Sequence, residues 1–213
     1  MLPPLPLEPT GIASVSEIAQ QIMAQIPARS VILIDGVGGS GKSTFAQRLT
    51  EALPDASLVA TDDIAWWLSP TDWANEILDG VIKPWLKGND VDYRPPGWIA
   101  KGREGSVKAS GKNFLVIEGC AAIRKELRDF ASYLIWMQTD PELARERLIQ
   151  RDIRLGRDGG TRESISNFAE EFEVGTVKIQ LSNKPWHIAN LVVFGDELRP
   201  DGLYPVAWNN RKP

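Results

Sequence analysis

The stretch Gly36-Val37-Gly38-Gly39-Ser40-Gly41-Lys42-Ser43, with Thr44 next, fits the pattern G-x-x-x-x-G-K-[ST] without a mismatch. That spacing suits a nucleoside triphosphate. Glycines let successive backbone N–H groups turn inward around an anion, in conformations a Cβ would obstruct. A helix starting near Lys42 would add its positive N-terminal end. Lys42 would reach the β- and γ-phosphates, and the Ser43 hydroxyl would ligate Mg²⁺. The bland alternative is a glycine-rich turn that ends in Lys-Ser by chance. Its context argues otherwise: an apolar run ends at Ile34, and a helical pattern of Phe45, Ala46 and Leu49 follows.

Carboxylates stand after the next two apolar runs, Thr61-Asp62-Asp63 after the second and Glu118-Gly119 after the third. In a parallel α/β sheet the carboxyl ends of the strands line the ligand crevice. One acid there can orient a substrate hydroxyl and take its proton, while another holds Mg²⁺ or its waters. The alternative is that these acids cap helices or form surface pairs, the stronger reading for Asp63. Further on, Arg147, Arg151 and Arg154 lie at i, i+4 and i+7, one face of a helix. Forked guanidinium groups suit phosphate oxygens, and closing over them would exclude water. Glu146, Asp152 and Asp158 leave open a solvated, salt-bridged helix face instead.

A guanine-reading N-K-x-D is missing, since Asn183-Lys184-Pro185-Trp186 has Trp where the acid belongs, and no D-x-x-G follows the third strand. Ile34-Asp35-Gly36 through Thr44, then Thr61-Asp62-Asp63, then Ile117-Glu118-Gly119 resemble the uridine kinase branch of the P-loop kinases. The resemblance spans about residues 30 to 195. It implies transfer of the γ-phosphate of ATP, with Mg²⁺, to a hydroxyl of a small molecule. It implies that Gly36, Gly38, Gly39, Ser40, Gly41, Lys42, Ser43 and Thr44 hold ATP, and that Arg147 and Arg151 close on it from a lid over 145–162. By the same likeness Asp62 activates the acceptor, Lys42 and Arg151 assist transfer, and Ser43, Asp62 and Glu118 serve the metal. The stretch Val91-Asp92-Tyr93-Arg94 matches the family's acceptor segment, but Arg94 stands where the family carries an acid. Arg94 and Arg103 are therefore candidates for an anionic acceptor, or Arg94 is a surface cation packed on Trp98. The lid is also about one residue shorter than in uridine kinases.

The elements that must position these residues follow from periodicity. Short apolar runs at Val31–Ile34, Ser57–Ala60, Phe114–Ile117, Tyr133–Met137 and Leu191–Phe194 read as strands, with helices over Ser43–Ala52 and Pro141–Arg151 between them. The expected fold class is α/β: a P-loop NTPase three-layer α/β/α architecture with a parallel five-stranded sheet of order 2-3-1-4-5. Residues 1–29 form an N-terminal tail and a helix over 14–26, capped by Ser14 or Ser16 and ended by Pro27. The kinase-like unit covers 30–196, with 61–113 an acceptor-side insertion. Residues 197–213, with three prolines, read as a tail without regular structure.

At 213 residues, 43% hydrophobic and 24% charged, the chain can bury a core of its own. Its net charge of −4 offers no basic field for nucleic acid, which weakens a hydrolase acting on that polymer. No apolar run reaches the roughly 18–20 residues of a membrane span, and Cys120 as sole cysteine suits a reducing compartment, so a cytoplasmic protein is expected. The expected partner is a small-molecule phosphate acceptor, with no nucleic acid or membrane; the oligomeric state stays open. A module that binds nucleotide without transferring phosphate is the alternative. Cys120 and His187 read as structural. Tryptophan is in excess, 8 against 6 Phe and 3 Tyr, and Trp66, Trp67, Trp73, Trp85 and Trp98 all fall in the insertion. They are either its small core or, for Trp66 and Trp67, a stacking surface for the acceptor.

Overall fold

Val31, Ile32, Leu33 and Ile34 are all fully buried, as a strand covered on both faces requires. Ile32 and Ile34 join one apolar cluster, with Ile18, Ile22, Phe45 and Leu49. Val31 and Leu33 join another, with Ile64, Ile77, Val81 and Trp85. The alternation of side chains along a strand thus divides the core into two layers.

The computed structural model describes residues 7–65, 68–69, 71–157, 159–196 and 202–209. Its strands are β1 (Gly11–Ser14), β2 (Ser30–Gly36), β3 (Ala56–Ala60), β4 (Val91–Tyr93), β5 (Val107–Ala109), β6 (Phe114–Glu118), β7 (Tyr133–Gln138), β8 (Leu191–Phe194) and β9 (Leu203–Trp208). The helices are α1 (Val15–Gln25), α2 (Lys42–Ala52), α3 (Asp62–Ala65), α4 (Ala74–Ile77), α5 (Lys83–Leu86), α6 (Pro96–Ala100), α7 (Lys125–Arg128), α8 (Pro141–Arg154), α9 (Arg162–Asn183) and α10 (Pro185–Ile188). A π-helical turn, Leu78–Ile82, joins α4 to α5.

The central sheet has the order β1-β9-β8-β7-β2-β6-β3. Strands β3, β6, β2, β7 and β8 are mutually parallel, and β9 and β1 add antiparallel to that set. The sheet is therefore seven-stranded, not the five-stranded one expected, because both presumed tails contribute a strand. Pro205 is tolerated in β9 because the β8 ladder ends at the pair Val193↔Val206, leaving Pro205 opposite Ile12 of β1 alone. Tyr204 then turns into the core, edge-on to Phe45 at 5.2 Å, and its hydroxyl accepts from Arg48 at 2.8 Å.

Helix α1 begins with a reciprocal cap: Ser14 accepts from the Glu17 amide, and Glu17 accepts from the Ser14 amide. The insertion carries α3 to α6 and a hairpin of β4 with β5. Trp73, Trp85 and Trp98 are buried in the second core cluster, so for these three the excess of tryptophan is a packing device. Trp85 donates its indole N–H to Gly111 at 2.6 Å and Trp98 to the Asp63 carbonyl at 2.5 Å. Among the described residues, no helix is long and apolar enough to cross a membrane.

Candidate functional site

The glycine-rich loop leaves β2 at Gly36 and enters α2 at Lys42. Gly39 has a φ of +79°, and a Cβ there would stand 1.9 Å from the Ala144 carbonyl oxygen, so α8 rests directly on the loop. Gly41 begins α2 with no side-chain cap, which leaves its first amides to an anion. Lys42 is buried, and its Nζ donates to the Val37 carbonyl at 3.4 Å. Burial opposes its charge, yet the neighbouring Cys120, Glu118 and Asp62 outweigh that and hold it above the ordinary lysine value. Burial pushes the Cys120 thiol up to about 11, so at neutral pH it stays a thiol and brings no negative charge to Lys42.

Glu118 ends β6 inside the site, and burial raises its carboxyl pKa against the pull of Lys42. The nearby Ser43 hydroxyl opposes that rise, while the Glu118 Oε2 is buried without a partner. A bare carboxylate oxygen beside a hydroxyl fits a hard cation such as Mg²⁺, which keeps several waters of its own. Asp62 starts α3 just past β3 and is exposed. Asp63 faces away to a different task, accepting from Arg103 at 3.2 Å.

Asp35 carries a role that the sequence reading gave it only as part of a motif. It is wholly buried and accepts four N–H bonds. The donors are Gly36 N at 2.7 Å, Ala121 N at 2.8 Å, Ile123 N at 3.0 Å and Gln180 Nε2 at 2.9 Å. One carboxylate thus ties the loop's first residue to the segment after Glu118 and to α9. The available signal was an acid inside an otherwise apolar run, immediately before the first glycine.

The arginine segment is helical throughout α8, and α9 starts at Arg162 within the span expected to form a lid. Arg147 donates to the Gly195 carbonyl at 2.5 Å and the Asp196 carbonyl at 2.7 Å. Arg151 makes a forked pair with Asp152, at 2.8 and 3.1 Å. Arg145 spans to α9, pairing with Glu170 at 2.9 Å and Glu173 at 3.3 Å. Two hollows adjoin the loop. The first is a cleft lined by Gly39, Gly41, Ser43, Thr44 and Arg147. The second holds Gly38, Asp62 and Cys120 and extends along α9. Lys42 and Arg151 line both.

Among its described residues, the insertion lines these two hollows through Asp62 alone, in the second of them. Tyr93 donates its hydroxyl to Glu76 and lines a separate surface hollow with Asn75, Asp79, Gly80 and Pro84. Arg94 is exposed and donates to the Arg103 carbonyl at 3.0 Å. The cation packed on Trp98 is Arg103, its guanidinium 3.5 Å from the ring centroid, and not Arg94. Trp66 and Trp67 lie outside the described residues. Phe168, Phe172 and Gln180 line the second hollow, and the sequence reading passed over all three.

No family model matches the chain, and no curated protein matches it. Solved structures do. A candidate fructose transport system kinase of Silicibacter sp. TM1040 aligns with a TM-score of 0.56 at 15% identity, covering 81% of this chain and 94% of its own. A possible uridine kinase of Bacillus stearothermophilus aligns with a TM-score of 0.51 at 17% identity, covering 84% and 96%. YFH7 of Saccharomyces cerevisiae, described as a candidate P-loop containing kinase with a circular permutation, aligns at 0.55 and 11% identity, covering 88% and 100%. At such identities the likeness is one of fold. The chain shares with these structures an α/β fold built on a mostly parallel sheet.

Proposed function

We propose that the protein is a small-molecule kinase that moves the γ-phosphate of ATP to an acceptor hydroxyl. The observation that carries this reading is the pair of hollows meeting at Lys42 and Arg151, with a phosphate cradle on one side and Asp62 on the other. A hydrolase needs only the first hollow. A transferase needs both, with its reacting atoms facing each other across the shared residues.

In this reading the loop amides and the N-terminus of α2 hold the phosphate chain, and Lys42 neutralises charge at the transferred group. Asp62 orients the acceptor hydroxyl and takes its proton as the new P–O bond forms and the bond to ADP breaks. Ser43 and Glu118 would hold Mg²⁺, with Asp62 close enough to share its waters, and the ion would screen the phosphate oxygens. Arg151 exchanges one partner for another: it leaves part of Asp152, which Arg157 still contacts at 3.5 Å, for phosphate oxygen.

The test is incubation with ATP, Mg²⁺ and a panel of nucleosides, nucleotides, vitamins and sugars, with mass spectrometry for acceptors that gain a phosphoryl group. At least one such product is expected. ATP binding with no product from any acceptor class supports the other reading, a nucleotide-binding module without transfer.

A further inference from the structure

Resting on the phosphotransfer reading above, we propose that Gln180 of α9 is a positioning residue for transfer. It acts through Asp35 to hold the start of the phosphate loop against the segment that follows Glu118. Nothing in the loop motif calls for α9; the need arises where the backbone ladder stops. Strands β2 and β6 pair as far as Ile34↔Glu118, and the Gly119 amide closes the ladder on the Ile34 carbonyl at 3.0 Å. Beyond that bond one chain turns into the loop that leads to Lys42, and the other into the segment of Cys120. Lys42 and Glu118 serve the same phosphate chain in this reading, so their spacing has to be kept past the end of the ladder.

One oxygen bridges the gap. Asp35 Oδ1 accepts from the Gly36 amide at 2.7 Å, the Ala121 amide at 2.8 Å and Gln180 Nε2 at 2.9 Å, while Oδ2 takes the Ile123 amide at 3.0 Å. Loop, post-Glu118 segment and α9 therefore meet at a single atom. Ala121 is held there at a φ of +62°, a left-handed conformation that costs an L side chain energy and persists only where its surroundings fix it. Among the described residues, Gln180 is the one side chain that donates to Asp35. Its second bond, to the Gly36 carbonyl, is longer at 3.4 Å. The same amide thus touches both the bridging carboxylate and the first peptide of the loop.

The far end of the side chain argues that the amide is not there for packing. Reversing it would set oxygen against two acceptors, so its direction is fixed. Gln180 is buried, and its Oε1 has no partner among the described residues. A methionine would fill similar volume without leaving a buried acceptor bare. The fold carries that cost, and what it gains is the pair of N–H bonds at the start of the loop. The loop has a separate brace at its middle, where Gly39 meets α8, and Arg145 ties α8 to Glu170 and Glu173 of α9. Loss of Gln180 therefore frees Asp35 to swing and loosens the start of the loop, without releasing α9.

The test compares the parent protein with Gln180→Met, which keeps volume and loses both bonds, and Gln180→Asn, whose amide stands one methylene short of Asp35. Transfer is measured with the compound of the acceptor panel that the parent phosphorylates best. Phosphorus NMR of bound β,γ-imido-ATP with Mg²⁺ is recorded for each protein. In both variants kcat should fall roughly ten- to hundredfold, with the acceptor KM changed by less than about threefold. The β- and γ-phosphorus resonances should move, which a simple loss of stability would not cause, and the melting temperature should fall by roughly a few degrees. Unchanged kcat and resonances in a folded variant overturn the inference while phosphotransfer stands. A raised acceptor KM with kcat kept also overturns it, since Gln180 would then contact the acceptor instead of placing the loop. If neither variant folds, Gln180 is a structural residue and the inference falls. A parent that binds ATP and phosphorylates no acceptor removes the phosphotransfer reading and this inference with it.

Discussion

Asp35→Asn exchanges a buried carboxylate for a neutral group of the same shape at the junction of loop, sheet and α9. Burial lifts the Asp35 carboxyl from 3.8 to about 6, against the pull of Gln180 and the amides of Ile123, Gly36 and Ala121. The folded chain thus holds this proton more tightly than the unfolded chain. Its stabilising contribution is full below about pH 4 and is lost as pH rises through about 6. The whole swing is about 3 kcal/mol, at about 1.4 kcal/mol per tenfold change, and roughly two-thirds of it falls between about pH 4.5 and 7.5. Asparagine can keep its oxygen toward Gly36, Ala121 and Gln180, but its NH₂ then meets the Ile123 amide, donor against donor. An unsatisfied buried donor costs about 1–3 kcal/mol at every pH. Urea unfolding of both proteins across this range should therefore show the variant less stable at about pH 4.5. The deficit should shrink by about 2 kcal/mol toward neutral pH. Taking the difference between the two proteins cancels the acid sensitivity of all other groups. A deficit independent of pH would refute the reasoning, since Asp35 would then not be the group that titrates.

Asp62→Asn should lower kcat for transfer by roughly 10²–10⁴, with ATP affinity changed little, as read by steady-state kinetics beside equilibrium ATP binding. Glu118→Gln should raise the Mg²⁺ concentration needed for half-maximal activity by about tenfold or more, because the bare Oε2 becomes half of a neutral amide; an unchanged Mg²⁺ titration would exclude Glu118 from the metal site. Gly39→Ala should destabilise the fold by about 2 kcal/mol or more and weaken ATP binding, since its Cβ would lie 1.9 Å from the Ala144 oxygen at a φ of +79°. Thermal unfolding with and without ATP measures both effects.

The parts of this chain that could be read from sequence are those whose physics is local. The loop is a contiguous pattern of glycines, Lys42 and Ser43, and its flanking strand and helix betray themselves by period. The cap of α1 is likewise written within four residues, Ser14 to Glu17. What escaped depends on distant segments meeting. Strand β9 was hidden by the prolines around it, because only the missing stretch of β8 opposite Pro205 makes that residue harmless. Asp35 and Gln180 are 145 residues apart in sequence, so nothing in either neighbourhood announces their bond. Phe168 and Phe172 look like ordinary members of a long amphipathic helix until α9 is seen lying against the loop. Tyr93 and Arg94 show the opposite case. A matching segment drew attention to them, while the hairpin of β4 and β5 carries Tyr93 toward Glu76.

A structure with a non-hydrolysable ATP analogue and Mg²⁺ tests the central claim most directly. The γ-phosphate should sit where the two hollows meet, against Lys42 Nζ, with Arg151 turned from Asp152 toward it and Asp62 facing it from the acceptor side. A γ-phosphate pointing away from Asp62, with the second hollow closed off from it, would contradict a transfer across that junction.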